Sequence, residues 1–279
     1  MSIDPITATN LANYIPSIWS KLVLADMEKA LVTGALVDRR YEQFVVGGGN
    51  TIVVPHLFNI TPNVVNTLQD ITLYDAVQNV TNISINKKYD IGVGVTDIEQ
   101  WQTNPKYFDL VRTKIAYGMA RQIDINTNVL FKSFSQVVGT VGTAITEDTI
   151  LSAYEYLNLA DAPFEGRAWA FDPESITDLM KIDMFVRMDY VPGSVWANGF
   201  QGRSILGAPV YITSNLDPYT SAEHAAAYFQ REAVALVIQG EKTEVYRWPQ
   251  RHSDVISGLA LFGVQEMRDS FGVCINTRS

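Results

Sequence analysis

The side chains able to do chemistry are few in this sequence, and their spacing argues against a reaction centre. The three histidines are His56, His224 and His252. No two of them stand four apart, as a helical metal-binding pair requires. His252 precedes Ser253 and Asp254, the residue types of a nucleophilic triad. A triad is assembled in space, however, and no Gly-x-Ser-x-Gly elbow accompanies it. Three carboxylate pairs invite a general acid–base reading: Asp97 with Glu99, Glu147 with Asp148, and Asp172 with Glu174. The last two fall where helices are predicted to begin, and the helix dipole alone accounts for negative charge there. Gly47-Gly48-Gly49-Asn50 looks like a phosphate cradle, but such a loop opens a helix and usually carries a lysine. Here Thr51-Ile52-Val53-Val54-Pro55 follows, so a turn between strands is expected. Cys274 is the only cysteine. It sits in the apolar run Phe271–Ile275, as a buried strand residue would, and no internal disulfide can form. No catalytic, cofactor-binding or metal-ligating residue is assigned, and no cofactor is expected.

Composition narrows the classes further. Of 279 residues 47% are apolar, enough for a sizeable core, and the net charge is -9. The longest basic runs are the pairs Arg39-Arg40 and Lys87-Lys88, which argues against tight nucleic-acid binding. No stretch reaches the ~18 apolar residues of a membrane span, and residues 1–10 lack the pattern of a signal peptide.

The elements are more telling. Ile15, Ile18, Trp19, Leu22 and Met27 recur at near-helical spacing, predicting an amphipathic helix or arm whose apolar face needs a partner. Tyr41–Val46 and Thr51–Pro55 read as strands. Residues 51–95 are rich in Thr, Asn, Val and Ile and carry no helical period, which predicts a two-stranded arm of about 40 residues. An isolated hairpin is marginally stable, so this arm requires outside support. Asn104-Pro105 opens a long amphipathic helix through Phe108, Val111, Ile115, Met119, Ile123, Leu130 and Phe134, about 28 residues and roughly 40 Å long. Gly139 and Gly142 end that region. Thr146 is expected to cap a short helix and Asp172-Pro173 another, after a strand at Arg167–Phe171. Residues 183–202 read as a loop. Strands are predicted at Pro209–Thr213, Ala233–Ile238, Thr243–Arg247, Val255–Phe262 and Phe271–Ile275.

The order of these segments resembles the major capsid proteins of tailed bacteriophages, with the HK97 fold. Local patterns carry the resemblance: Ile18-Trp19-Ser20, Leu36-Val37-Asp38-Arg39-Arg40-Tyr41-Glu42, Gly49-Asn50-Thr51-Ile52-Val53-Val54-Pro55, Arg167 to Glu174, Gly202 to Leu216, and Gly258 to Val264. The resemblance implies an α+β, HK97-like capsid fold. Its parts would be an N-terminal arm at 1–32, and a P-domain at 33–49, 86–139 and 251–267 with its spine helix near 105–135. An E-loop would span 50–91 and an α/β A-domain 140–250 and 268–279. It implies a non-enzymatic coat protein forming hexamers and pentamers of an icosahedral shell around the DNA genome. Its partners would be itself, scaffolding, portal and decoration proteins, and packaged double-stranded DNA held by weak non-specific contact, with no membrane. The shell would belong to the virion capsid and assemble in the host cytoplasm. The absence of a long extension before the arm implies a separate scaffolding protein or none, unless a prosegment is removed. Some relatives cross-link through a lysine near the E-loop tip; residues 62–80 contain none, so that activity is not carried over.

Intersubunit contacts are expected at Trp19 on the arm and at Val64, Val65, Leu68 and Leu73 on the loop. The acidic residues Asp70 and Asp75 would meet Arg112 and Arg121 on a neighbour's spine helix. Two alternatives stay open: an encapsulin-like compartment, which a cargo-peptide groove would favour, and a soluble hydrolase, which a convergent polar pocket would favour.

Overall fold

A computed structural model describes residues 31–45, 49–56, 79–98, 107–182, 204–216, 218–220 and 223–278. Trp19, Val64, Val65, Leu68, Asp70, Leu73 and Asp75, the Asn104-Pro105 helix start and the 183–202 loop lie outside them. Three sheets and the α-helices Tyr107–Val129, Glu147–Leu159 and Pro173–Leu179 carry most of the described chain.

The first sheet has the order β10-β11-β3, with all neighbours antiparallel. Strands β10 (Val234–Trp248) and β11 (Ser253–Glu266) form a long hairpin, closed by the 3-10 turn Pro249–Arg251, and β3 (Lys87–Thr96) lies on the outer side of β11. Sequence reading split β10 in two because Gln239, Gly240 and Glu241 break its apolar run. The structure keeps it whole with a register shift between Ile238 and Gly240, since a bulge absorbs one residue without ending a ladder.

Helix α1 (Tyr107–Val129) crosses one face of this sheet and runs on as a 3-10 turn, Leu130–Ser133. Its 23 residues span about 35 Å. Val111, Ile115, Met119 and Ile123 are buried, the predicted stripe. The contact is close: a Cβ on Gly258 of β11 would collide with the Met119 methyl.

The second sheet is a two-stranded hairpin, β1 (Thr51–His56) antiparallel to β2 (Asn79–Ser84), with Thr51 opposite Ser84 and His56 opposite Asn79. Here the sequence reading needs two corrections. Residues Arg40–Phe44 form a 3-10 turn and not a strand. The two-stranded arm ends at Ser84, because Lys87–Thr96 pairs with β11. Lys87–Thr96 carries the same β-branched alternation as β2, and pattern alone cannot say which partner a strand takes.

The third sheet has the order β4-β12-β9-β5-β7-β6, with β8 (Pro218–Thr220) also pairing β9. It joins β4 (Gln136–Val138), β5 (Arg167–Phe171), β6 (Ser204–Ile205), β7 (Ala208–Ile212), β9 (Glu223–Gln230) and β12 (Gly272–Asn276). Helices α2 (Glu147–Leu159) and α3 (Pro173–Leu179) begin at the predicted caps: Thr146 accepts from the Thr149 N–H, and Asp172 accepts from those of Glu174 and Ser175. Strand β9 is central and was not foreseen, because Ala225-Ala226-Ala227 lacks the β-branched signature. Its small side chains sit fully buried between β12 and β5. On one face Tyr228 stacks on Trp169, ring centres 3.8 Å apart; on the other Phe229 meets Phe131 at 5.0 Å.

Candidate assembly surface

The hairpin β1/β2 is the element that leaves the body of the chain. Its inward face, Ile52, Val54 and Ile83, packs with Val45, Ile85, Ala235 and Val237 in a small core of its own. The attachment works because Gly263 of β11 has no side chain: a Cβ there would collide with the Ser84 carbonyl oxygen and stand 3.1 Å from the Ile85 Cα. The opposite face of the hairpin is open: Val53 is 60% and Val80 51% exposed with Pro55 beside them, and Thr51, Asn82 and Ser84 complete it. Period-two alternation dictates this, since cross-strand partners share a face.

A second anchor was missed by sequence reading. Asp124, fully buried on α1, accepts hydrogen bonds from the Val32 N–H (3.0 Å), the Gly34 N–H (2.8 Å) and the Thr33 hydroxyl (3.1 Å). Burial pushes its carboxyl above the ordinary value, against the lowering pull of those donors. Asp124 thereby fastens the turn at 32–34 to the C-terminal third of the long helix. Its only sequence signal is an acid among apolar helix positions, which reads equally well as surface.

Of the predicted contact residues, Arg112 and Arg121 can be placed. Nine residues apart on one helix, they point about 180° away from each other. One loop tip approaching from one side therefore meets one of them. Arg121 is exposed and donates to the Asn215 side chain at 3.1 Å. Leu110 and Tyr117 are also exposed on α1.

The two large sheets are joined where β11 hands over to β12 and where α1 hands over to β4. Asp269 ties the two crossings together, accepting from the Ser135 N–H (2.7 Å) and from its hydroxyl. The Glu266 carboxyl lies beside it, and burial together with the Asp269 charge pushes it up to about 7. At the far edge Asp178 binds Arg278 (2.6 Å) and Lys181 (2.8 Å). Burial raises the Asp178 carboxyl, but these two cations outweigh it and hold it below the usual carboxylate range.

The groups capable of chemistry are dispersed. His252 is an exposed turn residue in the left-handed region, φ 45°. Cys274 is buried in β12, and burial pushes its thiol up to about 11, so it is a poor nucleophile. A cleft of about 510 Å³ holds Asp38, Glu165 and Glu232 beside Arg40 and Arg231. Arg40 engages Asp38 (2.7 Å) and Glu232 (3.2 Å), and Arg268 reaches Glu232 at 3.6 Å. Two of the three carboxylates are thus committed to ion pairs. Among the described residues there is no cluster of metal-ligating side chains, and no helix is long and apolar enough to cross a membrane.

No protein-family model and no curated protein matches the sequence. Solved structures do. One titled for Mycobacterium phage Che8 superposes with a TM-score of 0.73 at 21% identity, over 88% of this chain and 90% of the other. The capsid structure of cyanophage P-SCSP1u gives 0.66 at 14% identity over 82% and 84%. The asymmetric unit of the bacteriophage PhiM1 mature capsid gives 0.63 at 12% identity over 82% of each chain. The chain shares the fold of these structures.

Proposed function

We propose that this chain is the major capsid protein of a tailed bacteriophage, with the HK97 fold and a structural, non-enzymatic role. The observation that carries the reading is the likeness to phage capsid structures over more than four-fifths of both chains. The geometry agrees with it. A hairpin anchored at its base that exposes Val53, Pro55 and Val80 on its outer face is a poor arrangement for a monomer and a useful one in a lattice, where each copy overlaps the next. The division into arm, E-loop, P-domain and A-domain follows the same reading. The β10-β11-β3 sheet with α1 would serve as P-domain, which moves Val234–Trp248 out of the expected A-domain 140–250 and Lys87–Ile91 out of the expected E-loop 50–91; the larger sheet with α2 and α3 would be the A-domain, and β1/β2 the stem of the E-loop. Copies would gather as hexamers and pentamers, enclose double-stranded DNA within the virion and assemble in the host cytoplasm. Trp19, Val64, Val65, Leu68 and Leu73 would supply apolar contact between copies. Asp70 and Asp75 would meet a basic residue such as Arg112 or Arg121, each exposed pair adding only ~0–1 kcal/mol.

The test is electron microscopy and sedimentation of the purified chain, alone and with a candidate scaffolding protein. Closed hollow shells are expected. A stable monomer under every condition refutes the reading.

A further inference from the structure

The outer side of α1 keeps a regular stripe uncovered. Leu110, Lys114, Tyr117 and Arg121 are spaced four, three and four residues apart and all are exposed, Leu110 to 64% and Tyr117 to 53%. That spacing is the seam along which one helix packs on another. The next position of the seam is Asp124, seven residues after Tyr117, and positions seven apart return to within about 20° of the same direction on a helix. Asp124 is covered. What covers it is the turn at 32–34, through the Val32 and Gly34 N–H groups and the Thr33 hydroxyl. The chain that enters this turn therefore arrives at the end of an open stripe. Beside the stripe, Ile91 and Val93 of β3 with Leu110, Val111, Lys114 and Ile115 line a mostly apolar groove of about 320 Å³.

We propose that residues 16–30 of the same copy lie as a helix along this stripe, parallel to α1 and tethered at their end by Asp124. The inference goes beyond the shell reading and does not depend on it. Pro16 suits the first position of a helix. A helix over residues 16–30 is about 22 Å long, against about 21 Å from Leu110 to Asp124. So short a helix is marginal alone, and α1 supplies the surface it needs. The segment carries a matching seam: Ile15, Ile18, Leu22 and Ala25 are three, four and three residues apart. The Val32–Asp124 hydrogen bond sets the register, an offset of 92 residues. It puts Ile18 beside Leu110, Leu22 beside Lys114, and the small Ala25 beside the large Tyr117. Asp26 and Glu28 come within one turn of Arg121 and balance Lys29. Trp19 stands to one side of the seam, free for the contact between copies. A second copy is not needed here, because the tether brings this chain's own segment to the stripe.

Paired cysteines test this in the unassembled full-length chain. Ile18→Cys with Leu110→Cys is expected to close a disulfide within one copy under mild oxidation, because facing seam positions bring their Cα atoms within bridging range. The bridged species runs as a faster monomer band on a non-reducing gel. Ile18→Cys with Leu159→Cys is the control, since Leu159 is exposed on α2 and not on the stripe. Cys274 is buried and does not compete. Equal bridging in the two pairs, no bridge to position 110, or a bridge only between copies overturns the proposal. Where a cysteine pair folds poorly, amide hydrogen exchange on the unaltered chain decides. Residues 18–29 should exchange at least roughly tenfold slower than an unstructured chain. Leu110→Ser with Tyr117→Ser, both at exposed positions, should remove that protection. Exchange at the unstructured rate overturns the proposal, as does protection that survives the double substitution. Shell formation is read separately and bears on the capsid reading alone.

Discussion

Replacing Gly263 by alanine tests whether the hairpin is held by a backbone-to-backbone seat. The added Cβ would collide with the Ser84 carbonyl oxygen and stand 3.0 Å from its carbon and 3.1 Å from the Ile85 Cα. All three atoms are backbone, so no side chain can rotate away and β2 itself must move. That movement would disturb Ile83 and Ile85, which are buried against Ala235 and Val237. Overpacking of this kind costs about 1–3 kcal/mol. The substitution also stiffens the unfolded chain, which offsets about 0.4–1 kcal/mol. A net loss of about 0–2.6 kcal/mol remains, which for a chain of this size lowers Tm by up to about 10 °C. The matched control is Gly240→Ala, since a Cβ there meets nothing within 4 Å; it should melt at or slightly above the parent temperature. The assay is thermal and chemical denaturation of the unassembled protein, followed by shell yield. If Gly263→Ala is as stable as Gly240→Ala and assembles equally well, the seat is not a close contact and the reasoning fails.

Two further expectations concern pH. The Asp178 carboxyl is held below its ordinary value, so its contribution is present above about pH 4 and is lost as pH falls through the folded-state value. Asp178→Asn should lower stability by about 1–3 kcal/mol at pH 7 and flatten the acid limb of the stability profile; an unchanged acid limb would count against the clasp. Glu266 behaves oppositely. Its carboxyl is pushed up to about 7 in the folded chain, so stability is full below about pH 4.5 and is lost as pH rises through about 7. Glu266→Gln should therefore equal the parent at pH 4.5 and exceed it at pH 8, by at most ~3 kcal/mol. A pH-independent difference between the two proteins would refute this.

What could be read in the sequence were the features set by neighbouring residues. Thr146 and Asp172 cap helices because a short polar side chain reaches the N–H groups two or three residues on. The 3.6-residue stripe of Val111, Ile115, Met119 and Ile123 announces α1, and Arg167–Phe171 reads as a strand because it is a short, mostly apolar run ending at the Asp172-Pro173 cap. The order of segments that resembles a capsid protein was equally legible. Partners distant in sequence were not. Strand β9 exists because its alanines fit between β12 and β5, and nothing local to Ala225–Ala227 signals that. β3 reads like a continuation of the hairpin until β11, some 170 residues later, claims its hydrogen bonds. Asp124 is an ordinary helix acid until Val32, Thr33 and Gly34 arrive from about 90 residues away. Gly92 and Gly263 are indistinguishable as letters, yet one is seated on backbone and the other faces open space. Caps and periods act over one or two turns of chain and are written in the sequence; pairing, close approach and open faces depend on which surfaces meet, and only the tertiary structure decides them.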